Sequence, residues 1–509
     1  MSKKKNKKKV SKRKNTKKKV KNVFGIIVGS LLIILTLAII TLVMLLNVLN
    51  GKLFWLMAIG LSFIAVLIST LLFIKPVKKK QMSKKKKKRL KTYYVFRGIA
   101  FFFAIILIIG YCFIVHYLNK TLNFIDNISV IKEEVTDYYI VVLKDSKYQE
   151  SSDLEGDSLG YFSNMDNNVL SYIKLELDKK STNDLAELKN WLYNGDVSSI
   201  FISDVIKDHY IEENENFENE VRILDTISIK EEAKDITKRV SMKNTPFNVL
   251  ISGIDTFGKI NKKSRNDVNI IATVNPNTNK ILLTSIPRDY YVQLRGKTGL
   301  KDKLTHASYY GMDCAIGTIE DILDIDINYY IKVNFTTVID LVNAMGGIKV
   351  YADEPVRIYT GRYLKKGYNK LNGEETLAFA RERHAYADGD NHRGRNQQEV
   401  INAIFKQVTS GGAILTEYTK LLEAMDGKFA TSMDMSEVMN FVKYELDDLA
   451  NYEITSIQLK GSGDMGPTYS YPGQDLWIMI PNEKSIVTAK KQIATALGKE
   501  TENKTEESQ

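Results

Sequence analysis

Phe247-Asn-Val-Leu-Ile-Ser-Gly-Ile-Asp255, Ser264-Arg-Asn-Asp267-Val-Asn-Ile-Ile271 and Lys280-Ile-Leu-Leu-Thr-Ser-Ile-Pro-Arg288-Asp289 follow one another closely in the chain. Each holds an apolar, β-branched run bounded by polar residues, the pattern of a buried strand. Asn275-Pro-Asn-Thr-Asn279, between the second and third, is a cluster of turn formers. The pattern puts Asp255, Arg265, Asp267, Arg288 and Asp289 at strand ends, where open α/β sheets carry their ligand sites. Two of these carboxylates, Asp255 and Asp267, with two guanidiniums in so small a region suggest a metal ion beside a phosphate.

Downstream, strands and helices alternate. A loop through Gly296 and Gly299 leads to short helical stretches at Leu304–Tyr310 and Ala315–Leu323. Tyr329–Asn334 reads as a strand and Phe335–Met345 as a helix closed by Gly346-Gly347. Ile348–Tyr351 is a further strand, and Asn372-Gly-Glu-Glu375 caps a helix over Glu374–Ala380. Helices are expected near Ala413–Met425, Glu437–Leu449 and Glu483–Leu497, and strands at Ile454–Leu459 and Leu476–Ile480. Such alternation predicts a large α/β domain over residues 245–498, with a polar tail at 499–509.

A second charged knot runs from Arg381 to Gln398 and contains Arg383, Asp390, Arg393 and Gln397. Arg393 and Gln397 are four apart and share one helical face. Arg381 and Arg383 diverge in a helix but share a face in an extended chain. If both reach one ligand, the preceding helix must stop near Ala380. Guanidinium forks suit diphosphate oxygens, and a hard divalent ion needs carboxylates, Mg2+ or Mn2+ rather than zinc. A solvated charged surface is the plain alternative for such a run.

Upstream lies an acidic stretch, residues 119–240. Tyr138–Leu143, Ser199–Ser203 and Arg222–Ile229 read as strands, and Asp184–Tyr193 and Val205–Tyr210 as helices, so a small α/β accessory domain is expected. It shows no clustered ligand set in sequence.

The charge is segregated. Of the 72 Lys and Arg, 26 lie in residues 1–118, which contain no Asp or Glu; the other 46 face 60 acidic residues, a net of −14. The early excess brackets three uncharged apolar runs, Val23–Leu49, Leu53–Ile74 and Ile99–Leu118, each long enough to cross a bilayer. Basic flanks stay cytoplasmic, so the sequence predicts a multi-pass plasma-membrane protein. Its order is a cytoplasmic tail at 1–22, spans at 23–49, 53–74 and 98–118, a cytoplasmic loop at 75–97, and an extracellular remainder. This placement excludes nucleic acid as the partner. Cys112 falls in the third span and Cys314 stands alone beyond it. No intramolecular disulfide joins the exported part, which must be held by its core.

Residues 247–410 closely resemble the catalytic domain of the LytR-CpsA-Psr family, and the three spans with an accessory region are similar to its capsule-linked members. The matching pieces are Leu250–Asp255, Ser264–Asp267, Ser285–Asp289, Asp302–Ala307, Leu341–Ile348, Leu371–Ala378, Ala380–Arg383, Gly389–Arg393 and Gln397–Glu399. The resemblance implies an α/β fold with a central mixed sheet flanked by helices. It implies transfer of a glycopolymer, capsular or teichoic-acid-like, from a polyprenyl diphosphate onto peptidoglycan, with phosphodiester formation and Mg2+ (or Mn2+), alongside the envelope-synthesis machinery. Asp255 and Asp267 match the metal-associated aspartates. Arg265, Arg288, Lys303, Arg381, Arg383, Arg393 and Gln397 match the diphosphate-binding set, and Asp390 lies on the loop that shapes it. Asp255, Asp267, Arg288 and Arg393 are the expected catalytic group. Asn266 and Thr305 depart from the usual Ser and Asn without removing charge. A polyprenyl-diphosphate pyrophosphatase and a non-catalytic lipid-binding regulator are the alternatives.

Overall fold

The computed structural model describes residues 22–46, 51–74, 84–127, 133–163, 165, 167–214, 216–254, 260–387, 389–409, 420, 423–424, 428–434, 436–438 and 452–499. The chain forms two compact units, Met1–Asn119 and Lys120–Gln509.

The first unit is built on helices α1 (Val23–Leu46), α2 (Gly51–Phe73) and α3 (Lys84–Asn127). Stretches Val23–Leu45, Gly51–Phe73 and Lys91–Lys120 are long and apolar enough to cross a membrane. The third helix is longer than the apolar run behind it, because lysine is a good helix former and carries the helix back through Lys84. The packing is inverted relative to a water-soluble bundle. Ala65, Ser69, Ala100 and Ala104 are buried, while Ile27, Phe63, Phe102 and Ile106 face outward. Small contact residues let apolar helices approach closely in lipid. Ser69 Oγ donates to the Gly29 carbonyl at 3.0 Å. The carbonyls at the end of α2 take donors from elsewhere: Asn22 Nδ2 to Leu72 O at 2.5 Å and Arg97 Nη1 to Ile74 O at 2.7 Å.

The second unit opens with strands β1 (Glu133–Leu143), β2 (Ser158–Phe162), β3 (Asp178–Thr182), β4 (Ser199–Ser203) and β5 (Val221–Glu232). They form one mixed sheet in the order β3-β2-β4-β1-β5. Helix α4 (Leu185–Asn194) begins where the Asp184 carboxylate accepts from the amides of Ala186 and Glu187. Helix α5 (Asp204–Glu213) is capped by Ser203. The sequence pattern shows β1, β4 and β5 but not β2 or β3. Ser158-Leu-Gly-Tyr-Phe162 is interrupted by glycine, and Asp178–Thr182 is a mostly exposed edge with no apolar alternation.

The larger sheet holds β6 (Phe247–Ile254), β7 (Asn266–Asn275), β8 (Lys280–Ser285), β9 (Tyr329–Asn334), β12 (Phe429–Thr431) and β13 (Glu453–Gln458), the labels β10 and β11 falling to a hairpin, Ile348–Ala352 with Gly367–Leu371. Its order is β12-β9-β6-β7-β8-β13. The middle three strands form an antiparallel meander, while β9 runs parallel to β6 and β13 parallel to β8. Leu250 and Ile271 on one face pack with Ile316, Ile319 and Leu323 of helix α6 (Met312–Leu323) and with Ile486 and Ile493 of the C-terminal helix Glu483–Ala496. Val249, Ile270 and Leu283 on the other face meet Ile401 and Phe405. Alternation along the strands therefore feeds both layers. Helices α7 (Phe335–Ala344), α8 (Gly373–Arg381) and α9 (Asp390–Thr409) close a third core with the hairpin. The helices expected near Ala413–Met425 and Glu437–Leu449 lie almost entirely outside the described residues. One strand, Gly461–Pro467, goes unread in the sequence because its three glycines hide the apolar pattern; it pairs with Asp475–Pro481.

The two sheets share material. Tyr471 is buried in the core around Trp191, Leu192 and Tyr210, with Tyr309 and Leu476 packed against it. At the sheet border, the Val135 amide donates to Asn261 O and the Lys263 amide to Val135 O, both at 2.9 Å.

Helix α8 starts at a glycine for a steric reason. A Cβ at Gly373 would lie 2.2 Å from the Ile339 carbonyl oxygen of α7. Gly373→Ala is expected to pry α7 and α8 apart and cost about 2–3 kcal/mol, read as a lowered Tm of the purified protein. An unchanged Tm would show that the two helices slide freely.

Candidate functional site

The start of β7 and the segment just after β8 carry charged residues, as their sequence predicts. Arg288 Nη1 donates to Asp267 Oδ1 at 2.7 Å, and Arg288 Nε lies 3.4 Å from Asp289 Oδ2. Lys303 Nζ sits 3.3 Å from Asp289 Oδ1. Backbone bonds hold these segments together: the Leu304 amide donates to Tyr290 O at 2.9 Å and the Thr305 amide to Arg288 O at 2.8 Å. Ser308 Oγ donates to Ser264 O at 2.5 Å and so fixes the residue before Arg265.

Helix α9 brings the fifth charge. Gly394 presses on the sheet so closely that a Cβ there would lie 2.3 Å from Gln458 Nε2. Gln398 Nε2 donates to Ile457 O at 2.6 Å one turn later. Arg393 is thereby buried on the side of Asp267 and Asp289. Burial pushes the Asp267 carboxyl up, but Arg288, Arg393 and Arg265 overcome it and hold the group well below the usual carboxylate range. Asp289 is lowered in the same way, burial being offset by Arg288, Lys303 and Arg393.

A cavity of about 200 Å³ opens on this cluster, lined by Arg265, Arg288, Asp289 and Lys303. Thr305 and His306 continue the wall. His306 is positioned by Asp302, whose Oδ1 lies 2.6 Å from His306 Nδ1 and whose Oδ2 accepts from the Ser470 amide at 2.9 Å. Tyr309 stacks on the His306 ring at 5.1 Å between centroids.

The sequence candidates divide accordingly. Arg265, Asp267, Arg288, Lys303 and Arg393 come together. Helix α8 ends at Arg381, one residue later than expected, and does not continue through His384. Yet Arg381 and Arg383 are exposed and do not line the cavity: the Arg381 guanidinium lies over the Phe335 ring at 4.3 Å, and Arg383 Nε approaches His384 Nε2 at 3.3 Å. Gln397 is buried one turn beyond Arg393, also outside the lining. Asp390 opens α9, and its side chain lies outside the described residues. So does Asp255, one residue beyond the end of β6.

Among the described residues no group of three or more His, Cys, Asp or Glu is arranged to hold a metal ion. The donor chemistry nevertheless suits a hard ion. Asp289 is a buried carboxylate and Asp267 a half-buried one, and the fully buried Asn266 amide between Arg265 and Asp267 has no hydrogen-bond partner among the described residues. The sequence reading placed Asp289 at a strand end without assigning it to the ligand set. It missed His306, whose spacing from Asp302 was visible, and Tyr471, which nothing local marks.

The family profile LytR_cpsA_psr matches residues 216–489. The chain belongs to the LytR-CpsA-Psr family. Among its family relatives it is similar to the polyisoprenyl-teichoic acid–peptidoglycan teichoic acid transferase TagU of Bacillus cereus, 35% identical over 222 residues, 43% of this chain and 71% of that one. TagU of Enterococcus faecalis is 34% identical over 242 residues, 47% of this chain and 78% of its own. The crystal structure of B. subtilis TagV, at 28% identity and a TM-score of 0.42, covers 51% of this chain and all of that one (100%).

Within this LytR-CpsA-Psr site, Asp267 balances three guanidiniums, so its removal leaves buried positive charge. A carboxylate lowered in the folded state contributes stability above its unfolded pKa and loses it as pH falls further. Asp267→Asn is expected to cost about 3 kcal/mol at pH 7. The gap from wild type should narrow below about pH 4 as the unfolded aspartate takes up its proton. Thermal melts from pH 7 to pH 3 read this directly; a gap independent of pH would mean that the pair contributes shape alone.

Proposed function

We propose that this chain transfers a glycopolymer, teichoic-acid-like or capsular, from a polyprenyl-diphosphate carrier onto peptidoglycan. The observation that carries this reading is the cluster of half-buried Arg265, Arg288 and Lys303 and buried Arg393 around two carboxylates, inside the segment that places the chain in its family. The relatives' names, which join a polyisoprenyl-linked teichoic acid to peptidoglycan, support it.

In the reaction an acceptor hydroxyl oxygen bonds to the phosphorus that bears the glycan. The anhydride bond breaks, and polyprenyl phosphate leaves. Guanidiniums and Lys303 neutralise charge spreading over the phosphoryl oxygens, which is most of what such a transfer requires. In the resting site the aspartates are held too acidic to accept a proton well. A bound diphosphate competes for the same guanidiniums and so restores carboxylate basicity, priming Asp289, which lies outside the expected metal pair, to take the acceptor's proton only when donor is present. Asp255 and Asp267 would hold Mg2+ (or Mn2+), which when bound supplies further neutralisation of the diphosphate.

The three apolar helices suit a membrane anchor. We place the Lys-rich segments in the cytoplasm and residues beyond about 119 outside, from the basic flanks.

Purified protein given radiolabelled lipid-linked glycopolymer should form a peptidoglycan-bound product, and Arg288→Ala should lower that transfer by on the order of 10²-fold or more. EDTA should abolish transfer and Mg2+ restore it. Release of free phosphate without transfer would favour a pyrophosphatase, bound unreacted lipid a regulator, and full transfer in EDTA would remove the metal from the scheme. For the topology, protease added to intact protoplasts should digest the chain beyond residue 119 and spare the Lys-rich segments; protection of the large domain would refute the orientation.

A further inference from the structure

The cavity has a second wall, and it comes from the other sheet region. His209 and Glu213, on helix α5, line the cavity opposite the strand-end residues of the larger sheet. They lie four apart on one helix, His209 Nε2 at 3.2 Å from Glu213 Oε1. The His209 ring lies flat on Tyr471, with centroids 4.8 Å apart and planes at 19°. Gln474 Nε2 approaches His209 Nε2 at 2.7 Å. Lys189 of α4 holds the other Glu213 oxygen at 2.5 Å. Both residues are thus fixed from two sides.

The site's position relative to Arg265 is fixed as well. Strand β1 is hydrogen-bonded to residues 261 and 263, just before Arg265, and Lys262 Nζ reaches Asp137 at 2.6 Å. Lys332, on the interior strand β9, donates to Lys262 O at 3.0 Å. The segment that delivers Arg265 is therefore clamped by the same sheet region that delivers α5.

The chemistry of the two walls differs. A carboxylate repels a diphosphate, so Glu213 is not part of the anion cradle. His209 holds it well below the ordinary carboxylate range, at about 2. A permanently charged acceptor next to an imidazole suits the hydroxyls of a sugar ring. Thr305 adds a buried hydroxyl on the lining, with no hydrogen-bond partner among the described residues.

We propose that His209 and Glu213 make the accessory region part of the substrate site, where they read sugar hydroxyls next to the diphosphate. The proposal rests on the transferase reading and adds a specificity element to it. Those hydroxyls belong either to the sugar carried by the donor or to the acceptor sugar.

The test uses the full-length protein in detergent, with His209→Gln, His209→Ala and Glu213→Gln. Binding of bare polyprenyl diphosphate and of polyprenyl diphosphate bearing one sugar is measured, together with KM for each substrate. Wild type should bind the sugar-bearing lipid more tightly than the bare one. Glu213→Gln and His209→Ala should erase that preference, a loss of roughly 10-fold, with His209→Gln intermediate. A raised KM for the donor alone assigns the hydroxyls to the donor sugar, and a raised KM for the acceptor alone to the acceptor; either upholds the proposal. Equal weakening of the bare lipid, or correctly folded variants in which neither the preference nor either KM changes, overturns it. If wild type neither binds the bare lipid nor transfers, the transferase reading itself fails, so the two failures are distinguishable.

Discussion

Four cations and two carboxylates share one buried corner of this protein, and the Arg288–Asp267 contact is what makes that arrangement tolerable. A lone buried guanidinium pays heavily for leaving water, and so does a lone carboxylate. Together they set strict requirements on the chain around them. Strands β7 and β8 must end level with each other, the segment from Leu304 must bond back to Tyr290, and α9 must come close enough for Arg393 to join.

Much of this was legible in the sequence. The strands Phe247–Ile254 and Tyr329–Asn334 are mostly apolar, β-branched or aromatic runs bounded by polar residues, and that pattern alone finds them. The meander also forces Asp267 and Arg288 to neighbouring strand ends, so their encounter follows from local pattern. Arg381 and Arg383 show the limit. The sequence indicates correctly that the helix stops near them, but not that Phe335 offers the first guanidinium a ring face away from the cavity. The strand at Gly461–Pro467 is glycine-rich and shows no period at all. Tyr471 and His209 are 262 positions apart in the chain and stack through tertiary packing that no local spacing encodes.

The two units solve the burial problem in opposite ways. In the larger one, polar atoms gather at a strand-end cavity while leucine and isoleucine fill the layers. In the membrane-type helices, small residues turn inward and bulky ones outward, and polar groups such as Asn22 and Arg97 serve the open carbonyls at a helix end. Both follow from one rule: a backbone or charged group shut away from water must find a partner within the chain.

The shared packing of Tyr309, Tyr471 and Leu476 with the core around Trp191 has an evolutionary corollary. The first sheet region is not a detachable module bolted onto a catalytic one. Excising it would strip the cover from three apolar side chains and release the segment ahead of Arg265, so a gene fusion that swapped only the larger sheet would inherit an exposed, sticky face.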